Sequence, residues 1–391
     1  MRSLSLAASR GPGAGRTPSA RVPGALQALA AEAGFRFDGD DAWDIRVNDP
    51  RFYRRILGEG SLGFGEAYVD GWWDCDRLDQ LFDRLLSIDA DRRVARWTPL
   101  RALGDALRAT LFNAQSSRRA FAVGERHYDI GNDVFAAMLD PTMSYSCGYW
   151  WRADDLEQAQ LAKLDLVCRK LELRPGERLL DIGSGWGGLA RHAAANYGVE
   201  VLGITISREQ LKLARERCAG LPVTIELMDY RELSGRFDKI VSVGMFEHVG
   251  PKNYDAYFGI AARLLEDHGL FLLHSIGNYL TCRQIDPWIE AYVFPNGWLP
   301  SATEITRAIE GKLLIEDWHN FGPDYDRTLM AWWQNFERAW PALAGKYGER
   351  FHRLWRYYLL CCAGAFRSRQ SQLWQIVLSK RARRDAYRSV R

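Results

Sequence analysis

The pattern of hydrophobic and polar positions divides the chain into an early helical part and a later part in which strands and helices alternate. Apolar residues recur at helical spacing in residues 26–33, 50–57 and 77–87. After residue 125, short apolar runs are separated by polar segments with helical periodicity, which is typical of an α/β fold with a doubly wound, mostly parallel sheet. We therefore expect a flexible tail at 1–24, a small, mainly helical domain at 25–124 and an α/β catalytic domain at 125–391.

The clearest single feature is the run LLDIGSGWGGLA (179–190), in which a short apolar strand enters a glycine-rich turn that opens a helix. Such a turn presents backbone N–H groups to a ligand, and Gly183 and Gly185 admit that ligand because they lack a Cβ atom. A dinucleotide fold would need an acidic residue at the end of the next strand. The next strand, VEVLGITI, carries Thr205 near its end instead, which argues against NAD and favours S-adenosylmethionine.

Two carboxylates at strand ends favour the same cofactor. Asp181 closes the first strand, where it can orient the turn or meet the amino group of a methionine moiety. Asp229 ends a third strand and is suited to accept a hydrogen bond from an adenine amino group. The run FDKIVSVGMFEHV (237–249) predicts a buried parallel strand that leads into a catalytic loop. The alternative interpretation is a structural turn without a ligand, and the order of turn and carboxylates argues against it.

Composition narrows the class of protein without identifying it. The 391 residues are 47% hydrophobic and 26% charged, which is ordinary for a globular protein. No apolar run approaches the roughly 18 residues that cross a bilayer, and the net charge of +3 is too small to indicate nucleic acid binding. Seven cysteines without paired spacing predict reduced thiols and a cytoplasmic protein. Neither a CxxC nor an HxxxH pattern occurs, so no metal site is expected.

Several patterns have two interpretations. Arginines flank an apolar stripe in residues 91–126, which predicts a helix on an anionic membrane surface or a core helix with a solvated basic face. The basic cluster at 380–391 is a disordered tail or a further phospholipid contact. Trp72 and Trp73 pack in a core or meet lipid head groups. The aromatic stripes at 329–340 and 351–359 either pack in the hydrophobic core or line a tunnel for an acyl chain.

Long segments across residues 44–379 closely resemble the bacterial cyclopropane-fatty-acyl-phospholipid synthases. The resemblance is carried by EGSLGFGEAYVDGWWDCDRLD, HYDIGNDVFAAMLDPTMSYSCGYW, LDIGSGWGGLA, GITIS, VSVGMFEHVGPKNYDAYF, LLHSIGN, DPWIEAYVFPNGWLPS, EDWHNFGPDYDRTLMAW and CAGAFRSRQSQLWQ. The turn departs from the usual DIGCGWGG in having Ser184, a small residue that the turn should tolerate. The mycolic acid cyclopropane synthases share the cofactor half but not the amino-terminal domain, so a phospholipid substrate is favoured.

The resemblance implies a reaction and a set of site residues. The reaction transfers a methylene group from S-adenosylmethionine to the cis double bond of an unsaturated phospholipid acyl chain, through a carbocation that bound bicarbonate deprotonates. The residues implied for bicarbonate are Cys147, Glu247, His274, Ile276 and Tyr325. The residues implied for S-adenosylmethionine are Tyr145, Ser146, Asp181, Gly183, Gly185, Thr205, Gln210, Asp229 and Tyr230. Cys362 is placed with the catalytic group, although packing beside the acyl tunnel is its default role.

The same resemblance implies a homodimer that docks on the cytoplasmic face of the membrane. One rival hypothesis is a related fatty-acyl methyltransferase whose product is branched or carries a methylene group without a ring. Another is a non-catalytic lipid-binding protein on the same fold, against which the intact strand-end residues argue.

Overall fold

The computed structural model describes residues 21–90, 93, 131–282 and 285–391. Most of the predicted tail and of the basic stretch at 91–126 lies outside these residues. The described helices are α1 Gly24–Ala33, α2 Arg51–Val69, α3 Leu78–Ser87, α4 Asn132–Met138, α5 Leu156–Lys170, α6 Gly188–Tyr197, α7 Arg208–Arg217, α8 Tyr254–Leu264, α9 Pro287–Tyr292, α10 Ala302–Ile309 and α11 Pro323–Arg367. The described strands are β1 Arg46–Val47, β2 Trp73–Asp74, β3 Arg178–Ile182, β4 Glu200–Thr205, β5 Val223–Leu227, β6 Phe237–Val243, β7 Leu265–Asn278, β8 Leu314–Asn320 and β9 Ser371–Ser379.

The central sheet has seven strands in the order β5-β4-β3-β6-β7-β9-β8. The strands β5, β4, β3, β6 and β7 are parallel, and β9 pairs antiparallel with both β7 and β8. Apolar side chains cover both faces: Leu180 and Ile240 face one apolar cluster, while Leu179 and Val241 face the other. The predicted doubly wound, mostly parallel sheet is therefore confirmed. Strand order reverses between β3 and β6, and ligands bind in the crevice at such a switch point.

The early part of the chain is mainly helical, with one small ladder between β1 and β2. Helix α2 extends to Val69, beyond the predicted end at residue 57, because the glycine-rich segment continues the helix after a break at Gly60 (φ 61°). Trp73 is fully buried and stacks on Phe64 at 4.3 Å between ring centroids. Trp72 lies beneath the guanidinium group of Arg51. Trp73 therefore packs in the core.

Helix α11 joins the two parts of the chain. It breaks at Gly348 (φ 72°), and its two aromatic stripes pack in one apolar cluster with α1, α2 and α3. The guanidinium of Arg367 donates to Asp79 on α3 at 2.7 Å and to Asp326 at 2.8 Å. Asp79 is only 1% exposed, whereas the side chain of Arg367 is 27% exposed, so the pair is partly buried. The amino-terminal helices and α11 therefore share one apolar cluster, and the division into domains stays a prediction.

The carboxyl-terminal basic cluster makes ion pairs with the protein itself. Lys380 donates to Asp267, Arg383 donates to Glu172, and Arg391 donates to Asp317. None of the helices within the described ranges is both long enough and apolar enough to span a membrane.

Gly65 on α2 gives a test of this packing. An added Cβ would lie 2.3 Å from Cδ1 of the buried Trp288, so Gly65→Ala must displace the indole ring. We expect the variant to lower the free energy of unfolding by roughly 1–3 kcal/mol in urea titrations. The control is Gly58→Ala on the same helix, where an added Cβ meets nothing within 4 Å; it should raise stability by about 0.5–1 kcal/mol. Equal effects of the two variants would contradict the packing described.

Candidate active site

The glycine-rich turn lies at the carboxyl end of β3 and leads into α6. The N–H groups of Gly183 and Ser184 both donate to the carbonyl of Ile204 on β4, at 3.1 and 2.9 Å. Gly185 adopts φ +54°, and a Cβ built there would meet nothing within 4 Å. The turn is thus hydrogen-bonded to β4, and the space beside Gly185 is open. Ser184 also donates its hydroxyl to Ile204, as a small residue at this position can.

Asp181 and Lys163 are two buried titratable residues near the turn. Asp181 is 2% exposed, and burial raises the pKa of its carboxyl to about 7. One of its oxygens has no hydrogen-bond partner in the described part of the chain. Lys163 on α5 is equally buried, burial lowers the pKa of its amine to about 8, and it donates to the hydroxyl of Ser146 at 3.1 Å. Asp181 and Lys163 thus place buried polar groups next to the glycine-rich turn.

The residues predicted to meet ribose and adenine lie at the ends of β4 and β5. Thr205 donates its hydroxyl to the amide oxygen of Gln210 at 2.9 Å. Asp229 caps a short 3-10 helix and accepts from both the backbone and the guanidinium of Arg231, at 2.9 Å each. The Tyr230 ring packs edge-on against Tyr257. These four predicted residues and the glycine-rich turn line the same cavity.

Glu247 lies in a 3-10 turn after β6, and its carboxyl is buried. Its Oε1 accepts from the backbone N–H of Ile276 at 2.7 Å, and its Oε2 has no partner among the described residues. Burial raises the pKa of this carboxyl to about 7. Glu247 can therefore hold or release a proton near neutral pH. Ile276, predicted to offer its N–H to an anion, offers it here to Glu247.

His274 lies two residues before Ile276 on β7 and is 1% exposed. Burial holds the pKa of its ring well below the ordinary value, so the ring is neutral. Its Nδ1 lies 3.2 Å from the side-chain amide nitrogen of Gln375, and its Nε2 has no partner within the described ranges. Two polar atoms, Nε2 here and Oε2 of Glu247, are thus buried and left unpaired. Unpaired buried polar atoms are costly and fit a polar ligand.

The remaining predicted residues lie close by, with different partners. Tyr145 shares a hydrogen bond of 2.7 Å with the hydroxyl of Tyr358 on α11. Burial raises the pKa of Tyr325 well above its ordinary value, so its hydroxyl stays protonated. The thiol of Cys147 is fully buried and contacts the hydroxyl of Thr328 at 3.9 Å. Cys362 is partly buried on α11.

One cavity of about 880 Å³ joins these groups. Its volume is near the upper end of the range of about 300–1,000 Å³ for ligand pockets. The predicted residues on its wall are Tyr145, Ser146, Asp181, Gly183, Gly185, Thr205, Gln210, Asp229, Tyr230, Glu247, Ile276, Tyr325 and Cys362. Cys147 and His274 are not among the residues that line it. Apolar side chains also line the cavity, among them Phe82, Leu86 and Phe366.

Lys163 was not among the site residues predicted from the sequence. Positions 156, 159, 163, 164 and 167 form the buried face of α5, so a lysine at 163 interrupts an apolar helical stripe. That interruption was the available signal.

Comparisons with known proteins place the chain in one family. The profile described as mycolic acid cyclopropane synthetase matches residues 115–376. The chain is 56% identical over 354 residues to the cyclopropane-fatty-acyl-phospholipid synthase of Escherichia coli (strain K12), covering 90% of this chain and 92% of that protein. It is 43% identical to a probable fatty acid methyltransferase of Pseudomonas putida, covering 92% of this chain and 95% of that protein.

The fold is also similar to a solved structure of the mycolic acid cyclopropane synthase CmaA1 complexed with SAH and CTAB. The TM-score is 0.62 at 33% identity, covering 66% of this chain and 98% of that chain.

The raised pKa of Glu247 predicts a pH-dependent stability. Between pH 4.5 and about 7 the unfolded carboxyl has lost its proton while the folded carboxyl retains it, so stability falls as pH rises. We expect the stability of the wild type relative to Glu247→Gln to fall by up to roughly 3 kcal/mol across this window, measured by urea unfolding at several pH values. The exposed Glu209→Gln is the control and should parallel the wild type. Parallel curves for Glu247→Gln would contradict the assignment.

Proposed function

Because the chain belongs to the mycolic acid cyclopropane synthetase family, we propose that it transfers a methylene group from S-adenosylmethionine to the cis double bond of an unsaturated phospholipid acyl chain. The product is a cyclopropane ring. The observation that carries the proposal is the single cavity that joins the glycine turn to an apolar wall. A methyl donor and an alkene must meet in one such space, away from water.

The polar end of the cavity fits the donor. Gly185 leaves open space beside its backbone, and the unpaired oxygen of Asp181 is suited to accept from the donor's amino group. Lys163 balances the charge of Asp181 and holds the hydroxyl of Ser146. S-adenosylmethionine, when bound, supplies an electrophilic methyl group on a sulfonium ion. The solved relative complexed with SAH supports this assignment.

The apolar end fits an acyl chain. An isolated alkene is a weak nucleophile, so the cavity must hold it close to the methyl group and exclude water. Helix α3 supplies Phe82 and Leu86, and helix α11 supplies Phe366. The amino-terminal helices are thus part of the cavity wall. The similarity to the cyclopropane-fatty-acyl-phospholipid synthase of Escherichia coli supports a phospholipid as the acyl carrier.

The reaction requires a base after methyl transfer. The alkene attacks the methyl carbon, the carbon–sulfur bond breaks, and positive charge remains on the neighbouring acyl carbon. A proton must then leave the transferred carbon so that its electron pair closes the ring. We assign the base to bicarbonate, which accepts this proton when bound. The unpaired atoms Oε2 of Glu247 and Nε2 of His274 support a small polar ligand here.

Each residue of this anion site has a separate task in the proposal. Glu247 shares a proton with the anion because burial brings the pKa of its carboxyl to about 7. Neutral His274 and protonated Tyr325 donate hydrogen bonds, and the backbone of Cys147 offers a further N–H. Ile276 orients Glu247 through the 2.7 Å hydrogen bond to Oε1. Cys362 lines the cavity nearby and contributes packing.

The substrate requires access to a bilayer. We propose peripheral docking on the cytoplasmic face of the membrane, where unsaturated phospholipids are available. The family resemblance supports a homodimer, in which two copies of the amino-terminal helices would contact one membrane.

Incubation with labelled S-adenosylmethionine and vesicles of unsaturated phospholipid tests the function. We expect the acyl chains to gain the mass of one methylene group, and the product to resist mild hydrogenation because a ring has replaced the alkene. The control is a vesicle of fully saturated phospholipid, which should incorporate no label. A product that takes up hydrogen would identify the non-cyclising methyltransferase instead. No transfer by protein that binds S-adenosylhomocysteine would refute the proposal.

Glu247→Gln tests the anion site. We expect turnover to fall at least a hundredfold, since general acid–base groups contribute about 10²–10⁴-fold, while the Kd for S-adenosylhomocysteine changes less than twofold. Wild-type activity in bicarbonate-depleted buffer should fall and return when bicarbonate is added. The variant should not respond to added bicarbonate. Equal loss of turnover and cofactor binding would show that Glu247 belongs to the cofactor site.

A further inference from the structure

Three polar side chains form a row across the carboxyl-terminal strands. His274 on β7 is directly opposite Gln375 on β9, and Gln375 is directly opposite His319 on β8. Gln375 is fully buried in a strand whose neighbouring residues, Trp374 and Ile376, are apolar. A buried amide is costly in an apolar strand unless it has a hydrogen-bonding task.

The contact that Gln375 makes is with the His274 ring. Its amide nitrogen lies 3.2 Å from Nδ1 of His274, while Nε2 of that ring has no partner among the described residues. In this orientation of the amide its nitrogen faces Nδ1, and because an amide nitrogen can only donate, Nδ1 accepts. A neutral imidazole carries one proton, which must then be on Nε2.

We propose that Gln375 is a positioning residue that holds neutral His274 in the tautomer with its proton on Nε2. The ring then presents a donor, rather than a lone pair, to the anion. With the opposite tautomer, the lone pair of Nε2 would repel the anion. The inference rests on the proposed function, because it assigns His274 the task of binding bicarbonate.

His319, at the other end of the row, also accepts a hydrogen bond at Nδ1. Lys170 on α5 lies 3.0 Å from Nδ1 of His319. An ammonium group only donates, so His319 also carries its ring proton on Nε2. The side-chain oxygen of Gln375 has no partner within the described residues. In both histidines Nδ1 therefore accepts a hydrogen bond, from Gln375 in His274 and from Lys170 in His319. Neither donor has another role in the cavity.

Two substitutions separate the tautomer from packing. In Gln375→Glu, a carboxylate replaces the amide and accepts from Nδ1, so the His274 proton moves to Nδ1. In Gln375→Met, a side chain of similar length has no donor, so both tautomers are populated. The matched control is Gln372→Met on the same strand, whose amide donates to the carbonyl of Arg369.

The first measurement is the nitrogen NMR spectrum of the protein labelled at histidine, with His274→Asn used to assign the His274 signals. We expect the Nε2–H form in the wild type and in Gln372→Met, the Nδ1–H form in Gln375→Glu, and a mixture in Gln375→Met. The spectra are recorded across pH, because charged or titratable groups on α5 and β8 act on this ring. Those groups are Lys163, Lys170 and His319.

The second measurement is turnover as a function of bicarbonate concentration. Both Gln375 variants should need at least about tenfold more bicarbonate for half-maximal activity, by analogy with metal sites, where removing the residue that orients a ligating histidine costs about 10–100-fold in affinity. The KM for S-adenosylmethionine should change less than twofold, and unchanged binding of S-adenosylhomocysteine confirms that each variant is folded.

The outcomes distinguish the two proposals. If Gln375→Met keeps the pure Nε2–H tautomer, the inference is overturned whatever its activity, because another group holds the ring. If the tautomer changes and the bicarbonate requirement does not, the positioning role is also overturned. If the wild type makes no cyclopropane product, the proposed function fails, while the NMR spectra still report whether Gln375 sets the tautomer.

Discussion

The apolar part of the cavity depends on how α3 meets α11, where Arg367 on α11 donates to Asp79 on α3. Asp79 is almost completely removed from water and also accepts from Arg77, while the side chain of Arg367 is 27% exposed. The pair fixes where α3 meets α11. Gly364, one turn earlier, allows the Cβ of Phe82 to come so close that an added methyl group would lie 2.5 Å away. Phe82 is thereby set into the cavity wall, which neither half of the chain could form alone.

The sheet and its glycine turn could be predicted because their signals are local. A short apolar run, a turn that needs Gly185 at positive φ, and a carboxylate at the strand end all occur within a few residues. Polar residues at the ends of parallel strands must meet at one edge, so the sequence alone predicts that Asp181, Asp229 and Glu247 lie together. All of the predicted site residues except Cys147 and His274 line one cavity.

The contacts between distant segments could not be predicted. Arg367 and Asp79 are separated by 288 positions, and no periodicity links them. The aromatic stripes of α11 showed that a helix face is buried but not that it packs against α2 and α3. Gln375 and His274 could each be seen as polar residues in apolar strands, yet only the antiparallel register of β7 and β9 brings them together. Lys163 gave a local signal, whereas its partner Ser146 did not.

The insertion of β9 between β7 and β8 has a consequence for synthesis of the chain. Strand β9 is the last of the seven to leave the ribosome, but it pairs on both of its sides, so β8 has no place in the sheet until β9 arrives. The cofactor turn on β3 and β4 can form much earlier. His274 therefore acquires its neighbour Gln375 only near the end of synthesis, and until then β7 has an open edge. Such an edge attracts other strands, which makes this interval the point at which a chaperone would protect the protein.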